Sequence, residues 1–142
     1  PKVVKLNEKQ QKYFRAKTLA IPSPVEVDEI MCKVPKGKLI TINHIRNIIA
    51  ARHKADAGCP ITTGIFAWIA SYAAEEERDA GKKRSTPYWR TLKNGGELNP
   101  KYPGGINEQS AALKSEGQKI VTKGKRVFVW DFEKKLVGKI NI

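Results

Sequence analysis

The sequence predicts a single domain that is mostly α-helical with small β elements and that contains a helix-turn-helix. Apolar residues recur at helical spacing in several segments, and a glycine-containing turn separates two of these segments. Apolar runs typical of strands are short and lie mainly toward the carboxyl end. Because 142 residues can bury most of their apolar surface, the chain needs neither disulfides nor a metal to fold.

The chain is expected to divide at residue 24. Residues 1–24 are basic and rich in glutamine and end in an Ile-Pro-Ser-Pro run, so we treat them as an N-terminal arm whose order the sequence leaves open. Residues 25–142 are expected to form the domain itself.

The first helix of this domain is expected over residues 25–34. Acidic residues fall in its first turn and Lys33 near its end, as the helix dipole favours. Pro35 and Gly37 then stop the helix, and residues 38–41 form a short extended link.

The second helix is expected over residues 43–55, with Asn43 as its N-cap. Arg46 and Arg52 are expected to face away from the core, and Gly58 suits the left-handed position after the helix. The apolar stripe of this helix consists of Ile45, Ile48 and Ile49.

The third helix begins within residues 59–62, with Thr62 as a candidate cap. Four large apolar residues follow at positions i, i+3, i+4 and i+7, which is the spacing of a buried helix face. These residues are Ile65, Trp68, Ile69 and Tyr72. We therefore expect Trp68 in the core.

The rest of the chain alternates loops with short elements. A basic loop covers residues 82–85, an extended segment covers residues 87–92, and Asn94-Gly95 marks a turn. The sequence also predicts a fourth helix over residues 107–116 and strand-like segments over 127–130 and 136–140.

The charge balance points to a polyanionic partner. Lys and Arg number 27 against 14 acidic residues, a net charge of +13. Such an excess concentrates polyanions, with nucleic acid ahead of an anionic membrane surface. No apolar run approaches the ~18 residues of a membrane-spanning helix. Cys32, Cys59, His44 and His53 lack metal-site spacing, so we expect no metal and no cofactor.

In a helix-turn-helix, the start of the second helix approaches DNA, and backbone N–H groups there favour phosphate. The small or polar residues after Pro60 permit such an approach. The candidate DNA-binding residues are Lys36, Lys38, Thr41, Ile42, Asn43, His44, Thr62, Thr63, Gly64 and Arg90. Helix pairs with a glycine turn are also common in proteins that do not bind DNA, and Thr62 and Thr63 can equally be a cap and its neighbour.

The order of several motifs resembles the alkylguanine-DNA alkyltransferase family over residues 25–135. Residues 34–41 resemble the I-P-x-G-x-V-x-T segment before that family's helix-turn-helix. Residues 87–91 resemble its active-site P-C-H-R-V motif, and residues 102–106 and 113–117 resemble its Y-S-G-G and L-L-x-x-E-G motifs. The resemblance implies a winged-helix-like domain of the alkyltransferase C-terminal type.

The sequence departs from the family at the reactive positions. Tyr88 stands at the nucleophilic Cys and Trp89 at the activating His, and a Tyr phenol with a reference pKa of ~10 is no ready substitute for a thiolate. Ile42 stands where the family has a nucleotide-rotating Tyr, and Thr63 where it has an Arg finger, so base flipping loses support. The pocket residues implied by the resemblance are Tyr88, Trp89, Tyr102 and Glu116.

The resemblance therefore implies a diverged alkyltransferase-like protein with no catalytic residue. Such a protein binds duplex DNA, recognises alkylated or distorted DNA, and works with other repair proteins. We expect a monomer that is cytoplasmic and nucleoid-associated, with no membrane partner. Two alternatives stay open: a helix-turn-helix regulator or general DNA binder, and an alkyltransferase that uses a relocated cysteine. Of the two cysteines, Cys59 lies at a helix start that would favour a thiolate, and Cys32 is expected to be buried.

Overall fold

Helices dominate the described part of the chain, which is residues 1–82 and 85–138 of a computed structural model. Within this part the elements are β1 (Lys2–Lys5), α1 (Glu8–Phe14), β2 (Thr18–Ile21), α2 (Pro24–Cys32), β3 (Ile40–Thr41), α3 (Ile42–Arg52), β4 (Ala57–Gly58), α4 (Pro60–Asp79), β5 (Thr91–Leu92), α5 (Gly105–Ser115), β6 (Ile120–Lys123) and β7 (Arg126–Val129). Short 3₁₀ turns cover Tyr88–Arg90, Asn94–Gly96 and Phe132–Lys135. The predicted mostly α-helical class with small β elements is confirmed. Lys83 and Arg84 of the basic loop, and residues 139–140 of the last predicted strand, lie outside the described residues.

The first 24 residues, whose order the sequence left open, form part of a sheet with the rest of the chain. β1 pairs antiparallel with β2, and β2 pairs parallel with β4, which lies between α3 and α4. A small apolar cluster of Leu6, Leu19 and Cys59 closes over this sheet. The N-terminal segment thereby reaches the start of α4. Its treatment as a unit separate from residues 25–142 stays a prediction.

The main core lies between α2, α3 and α4. It contains Ile30, Met31, Ile45 and Ile49, all fully buried, and Phe66 of α4 packs against it from a partly buried position. The buried residues of α4 are Thr63, Ala67, Ala70, Ser71 and Ala74. The fully enclosed face of α4 therefore consists of small side chains, and the large side chains of this core come mainly from α2 and α3.

The buried face predicted for α4 is therefore wrong. Ile65, Trp68, Ile69 and Tyr72 are 43–46% exposed, on the side of α4 away from the core. The spacing correctly predicted a helix here, but the opposite, alanine-rich face of α4 is the one that is buried. The Ile, Met and Val side chains of α2 and α3 already fill the core, which leaves space only for small side chains on this face. Trp68 is consequently a surface residue and not a core residue.

The helix boundaries also differ in detail from prediction. Thr41, not Asn43, caps α3, because its side chain accepts a hydrogen bond from the His44 backbone N–H at 3.3 Å. Cys59, not Thr62, is the N-cap of α4, and Pro60 occupies its first turn. Lys54, with φ of 55°, takes the left-handed position predicted for Gly58.

Gly58 has a different role, which is to let the backbone of β4 lie close to the backbone of α3. A Cβ at this position would overlap with the backbone carbonyl oxygen of Arg46. Arg46, which was predicted to face away from the core, is half-buried: its Nε donates to the Gly58 carbonyl at 2.9 Å and its Nη1 donates to Asn43 Oδ1 at 2.8 Å. Arg52 is also held, since its Nη1 donates to Glu26 Oε2 at 2.8 Å. The helix-turn-helix is thus fixed by polar contacts as well as by packing.

A smaller cluster joins Leu39 to four buried residues of the second half of the chain, which are Leu92, Leu98, Leu113 and Val129. The parallel pair β3–β5 joins this half to the helices, and β6 and β7 form an antiparallel hairpin in the place of a wing. Among the described residues, no helix is both long enough and apolar enough to cross a membrane.

Candidate nucleic-acid interface

The starts of α3 and α4 meet at a cleft of about 600 Å³. Its apolar floor comes from Ile42, Ile61, Ile65 and Trp68, with Gly64 beside them. Its opposite wall is the segment 93–101 together with Arg126 of the β6–β7 hairpin. The cleft therefore brings two predicted DNA-binding residues, Ile42 and Gly64, against a wall that sequence reasoning did not include.

That wall carries the positive charge of the cleft. Lys93, Lys101 and Arg126 line it, and Glu97 lies between two of them. Arg126 Nη2 lies 2.9 Å from Glu97 Oε1, and Lys93 Nζ lies 3.7 Å from the same oxygen. The hydrogen bond from Arg126 and the charge of Lys93 hold the pKa of Glu97 below its ordinary value. The Arg126 side chain is 64% exposed, so it keeps access to an anion.

Amide side chains link the wall to the helix start. Asn94 Oδ1 accepts a hydrogen bond from the Asn43 backbone N–H at 3.0 Å, so one free N–H at the start of α3 is satisfied by the wall. Asn99 also lines the cleft. The turn signal at Asn94-Gly95 was recognised in the sequence, and Gly95 has a φ of 80°. Its contact with α3 could not be recognised, because the two segments lie 51 residues apart.

The remaining predicted DNA-binding residues divide by exposure. Lys36, Lys38 and Asn43 are exposed. His44 is half-buried, and burial lowers the pKa of its imidazole, which keeps the ring neutral at neutral pH. These residues stay predictions for DNA contact.

Three predicted contacts are corrected by the geometry. Thr63 is completely buried and Thr41 nearly so, the latter because it caps α3. The Thr62 hydroxyl is also buried, within the first turn of α4. None of these hydroxyl groups faces solvent where DNA would lie.

Arg90 is a structural residue and not an open DNA contact. Its Nε and Nη2 donate to the two carboxylate oxygens of Glu116 at 2.9 and 2.6 Å, and its Nη1 donates to the Val34 carbonyl at 2.8 Å. The side chains of Arg90 and Glu116 are 13% and 7% exposed. Burial opposes ionisation of Glu116, but the hydrogen bonds and charge of Arg90 outweigh it, so the pKa of this carboxyl lies below its ordinary value.

Tyr88, which the motif resemblance places at a reactive cysteine, is enclosed by aromatic packing. The Tyr88 ring is 4% exposed and makes edge-to-face contacts with Trp89 and Tyr102, both at 5.4 Å between centroids. Its hydroxyl donates to Glu75 Oε2 at 3.2 Å. Burial and the neighbouring Glu75 carboxylate raise the pKa of Tyr88 to about 12. The phenol is therefore protonated and hydrogen-bonded, which makes it a poor nucleophile.

Trp89 and Tyr102 are fixed in the same way. Two guanidinium groups lie over the Trp89 ring, that of Arg78 at 5.4 Å and that of Arg90 at 5.6 Å. The Tyr102 hydroxyl donates to the Thr91 carbonyl at 3.1 Å, and burial raises the pKa of Tyr102. Glu116 pairs with Arg90, whose guanidinium lies over the Trp89 ring, so these contacts connect the four predicted pocket residues in one layer.

A groove of about 580 Å³ remains beside Tyr88. Pro103 and Gly104, which match the family's Y-S-G-G motif, line it together with charged side chains of α4 and α5. Those side chains are Glu75, Arg78 and Glu108. The two carboxylates that line this groove come from two helices, Glu75 from α4 and Glu108 from α5.

Neither cysteine lies in the cleft or in this groove. Cys59 is buried in the N-terminal cluster with Leu6 and Leu19. Cys32 is exposed, contrary to prediction, and its Sγ lies 3.3 Å from Thr86 Oγ1. Partial burial and nearby acidic residues such as Asp28 raise the pKa of the Cys32 thiol. Within the described ranges, no three potential ligand residues cluster to hold a metal ion.

The sequence matches no protein-family profile and no curated protein. The fold is nevertheless similar to that of S. pombe Atl1 in complex with damaged DNA containing O6-carboxymethylguanine, with a TM-score of 0.58 and 14% identity, over 82% of this chain and 94% of that chain. It is also similar to S. pombe ATL in complex with DNA, with a TM-score of 0.57, 14% identity and the same coverage of both chains. At this identity the likeness shows a shared fold.

Proposed function

We propose that this chain is a non-catalytic DNA-binding protein that recognises alkylated or distorted duplex DNA and transfers no alkyl group. The observation that carries the proposal is the cleft where the starts of α3 and α4 meet Lys93, Lys101 and Arg126. Helix starts and cationic side chains along one cleft are the two means by which proteins hold a phosphate backbone. The net charge of +13 supports the same partner.

The aromatic layer supports the non-catalytic part of the proposal. Alkyl transfer from guanine needs a thiolate within reach of the base. At the matching position this chain has a buried Tyr88 hydroxyl whose proton is held by Glu75, and both cysteines lie elsewhere. A protein of this kind binds DNA and leaves its chemistry to others, so other repair proteins are the partners that the proposal implies.

The two similar folds also support the proposal. Atl1 is described with damaged DNA containing O6-carboxymethylguanine, and this chain covers 94% of that structure's chain. The shared fold supports a DNA ligand of the same kind for this chain, at 14% sequence identity.

Fluorescence anisotropy with a short labelled duplex tests the proposal through the cleft. Lys101→Glu should weaken binding and reduce the slope of log affinity against log salt by about one, as the loss of a phosphate contact does. Lys9→Glu in α1 makes the same charge change on a helix that lines none of the grooves, and it should change affinity much less. Equal losses in the two variants would mean that net charge alone attracts DNA, and no binding by the unmodified chain at moderate salt would sink the proposal.

The general DNA binder is a second candidate, favoured by one observation. Tyr88, Trp89 and Tyr102 fill the layer where a lesion-reading pocket would lie. On that reading the cleft contacts phosphates without discriminating damaged from intact duplex, and the two duplexes bind equally.

A further inference from the structure

α4 presents a stripe of large apolar side chains to solvent. The stripe consists of Ile61, Ile65, Trp68, Ile69 and Tyr72, which are 43–56% exposed. Aromatic side chains present about 150–250 Å² each, so the whole stripe exposes roughly 400–500 Å², near the upper end for a monomer surface. A patch of this size on one helix indicates a contact surface.

The spacing of the stripe is that of a helix–helix seam. Ile61, Ile65, Trp68 and Tyr72 are separated by four, three and four residues, which is the alternation of the inward positions in a coiled coil. Trp68 and Tyr72 pack edge to face at 5.8 Å between centroids, which orders the middle of the seam. The seam covers only three turns, but α4 is already folded against the body, so no helix has to form for the seam to be used.

The charges around the stripe are opposite at its two ends. Beside its amino-terminal half lie Lys93, Lys101 and Arg126, of which Lys93 and Arg126 already pair with Glu97. Its carboxyl-terminal end continues into the exposed Glu76 and Asp79, while Glu75 is held by Arg78 and by the Tyr88 hydroxyl. The surface is therefore apolar along its middle, basic at one end and acidic at the other.

We infer that the stripe binds the same stripe of a second copy of this chain, with the two α4 helices antiparallel around a two-fold axis. A two-fold contact is self-complementary only if a surface matches itself when reversed. When the two α4 helices run antiparallel, Ile61 of one copy lies opposite Tyr72 of the other copy. The basic end of each stripe then lies beside the acidic end of the other stripe. A uniformly acidic or basic partner helix would match one end and be repelled at the other.

The area is compatible with a weak, reversible dimer. Two stripes bury roughly 1,000 Å² together with the charged ends, which is the lower bound of specific interfaces. Pairing would also cover Ile61, Ile65 and Trp68 on the floor of the cleft, so a paired copy and DNA exclude one another. The inference does not rest on the proposed function, because pairing is measured without DNA. It replaces the monomer expected from the sequence.

Sedimentation velocity over a concentration series tests the pairing. The unmodified chain should shift from monomer to dimer as concentration rises, and Trp68→Glu should stay monomeric throughout, since central aromatic residues dominate such contacts. Tyr13→Glu is the matched control, because Tyr13 is an exposed aromatic residue of α1 outside the stripe, and it should dimerise as the unmodified chain does. Circular dichroism should show that both variants fold.

Charge reversal tests the antiparallel arrangement. Glu76 and Lys101 are exposed, and no ion pair holds either of them within the described ranges. Glu76→Lys and Lys101→Glu should each weaken dimerisation by about tenfold, since each changes two symmetric contacts, and the double variant should recover most of the loss. Two outcomes overturn the inference: a monomer at every concentration, or dimerisation that Trp68→Glu leaves intact. If the chain stays monomeric and Trp68→Glu abolishes DNA binding, the stripe belongs to the DNA interface instead.

Discussion

Two aromatic regions of this molecule have opposite surroundings. Tyr88 and Tyr102 are enclosed, and their hydroxyl groups donate to Glu75 and to the Thr91 carbonyl. Trp68 and Tyr72 lie on the outer face of α4 and contact each other at its surface. One region is a completed interior, and the other is a surface that nothing within the described chain covers.

The comparison shows that the buried aromatic residues contribute to stability, whereas the exposed ones are available for binding. In the enclosed region, the Tyr88 and Tyr102 hydroxyl groups are hydrogen-bonded and their rings are buried, so these side chains stabilise the fold. On the open face, apolar side chains and a basic wall are exposed and can contact another molecule.

The largest effect should come from removing the ion pair beneath the enclosed region. Arg90→Ala leaves the Glu116 carboxylate buried without its partner, which should cost about 3–5 kcal/mol of unfolding free energy. Arg126→Ala breaks an exposed pair of the open cleft and should cost about 0–1 kcal/mol. Urea denaturation of both variants checks the contrast, and similar losses would erase the distinction between the two regions.

A smaller effect should come from the aromatic hydroxyl groups. Tyr102→Phe removes the donor to the buried Thr91 carbonyl, which should cost about 1–3 kcal/mol because that acceptor stays unsatisfied. Tyr72→Phe makes the same change on the exposed face and should be within about 0.5 kcal/mol of the unmodified chain. Thermal unfolding that ranks the two in the opposite order would contradict the account.

Glu116 should make stability depend on pH in the acidic range. Its pKa in the folded state lies below the ordinary 4.5, so its ionisation stabilises the fold above that value, and the contribution is lost as pH falls through the lowered pKa. Glu116→Gln should therefore be less stable than the unmodified chain at neutral pH, and the gap should narrow below pH 4.5. A gap that stays constant with pH would place the stabilisation elsewhere.

For the last variant, Tyr88→Cys in the enclosed region, we expect no alkyl transfer from DNA to the protein. Tyr88→Cys places a thiol at the position that resembles a reactive cysteine, but the neighbouring residue is Trp89 and cannot activate the thiol as a histidine would. The intact mass after incubation with duplex containing O6-methylguanine should be unchanged. A gain of one methyl group would show that the region retains an active geometry that only the side chain had blocked.

The sequence predicted the elements of the fold better than their orientation. The spacing of Ile65, Trp68, Ile69 and Tyr72 correctly indicated a helix, but periodicity identifies a face without saying which side it takes. Only the competing core of α2 and α3 decides that, and it favoured the alanines of α4. Similarly, the sequence analysis selected Thr41 as a candidate DNA contact. Its role as the N-cap of α3 could not be predicted, because that role depends on the exact residue at which α3 begins.

The part of the candidate site that could be predicted is the part formed by the helix-turn-helix. Ile42, Asn43 and Gly64 lie at or beside the cleft as expected from a helix-turn-helix. Lys93, Lys101 and Arg126 were not predicted, because only the folded chain brings the segment 93–101 and the β6–β7 hairpin to the helix starts. The ion pair of Arg90 could not be predicted, since a sequence does not show that its partner is Glu116, 26 residues away on another element.

The most direct test of the account is a binding titration of one short duplex, with and without an O6-alkylguanine, at two salt concentrations. The account predicts that the chain binds both, that affinity falls steeply with salt, and that the alkylated duplex binds more tightly. Equal affinity for the two duplexes would contradict lesion recognition and leave a general DNA binder. No binding to either duplex at moderate salt would contradict the central claim.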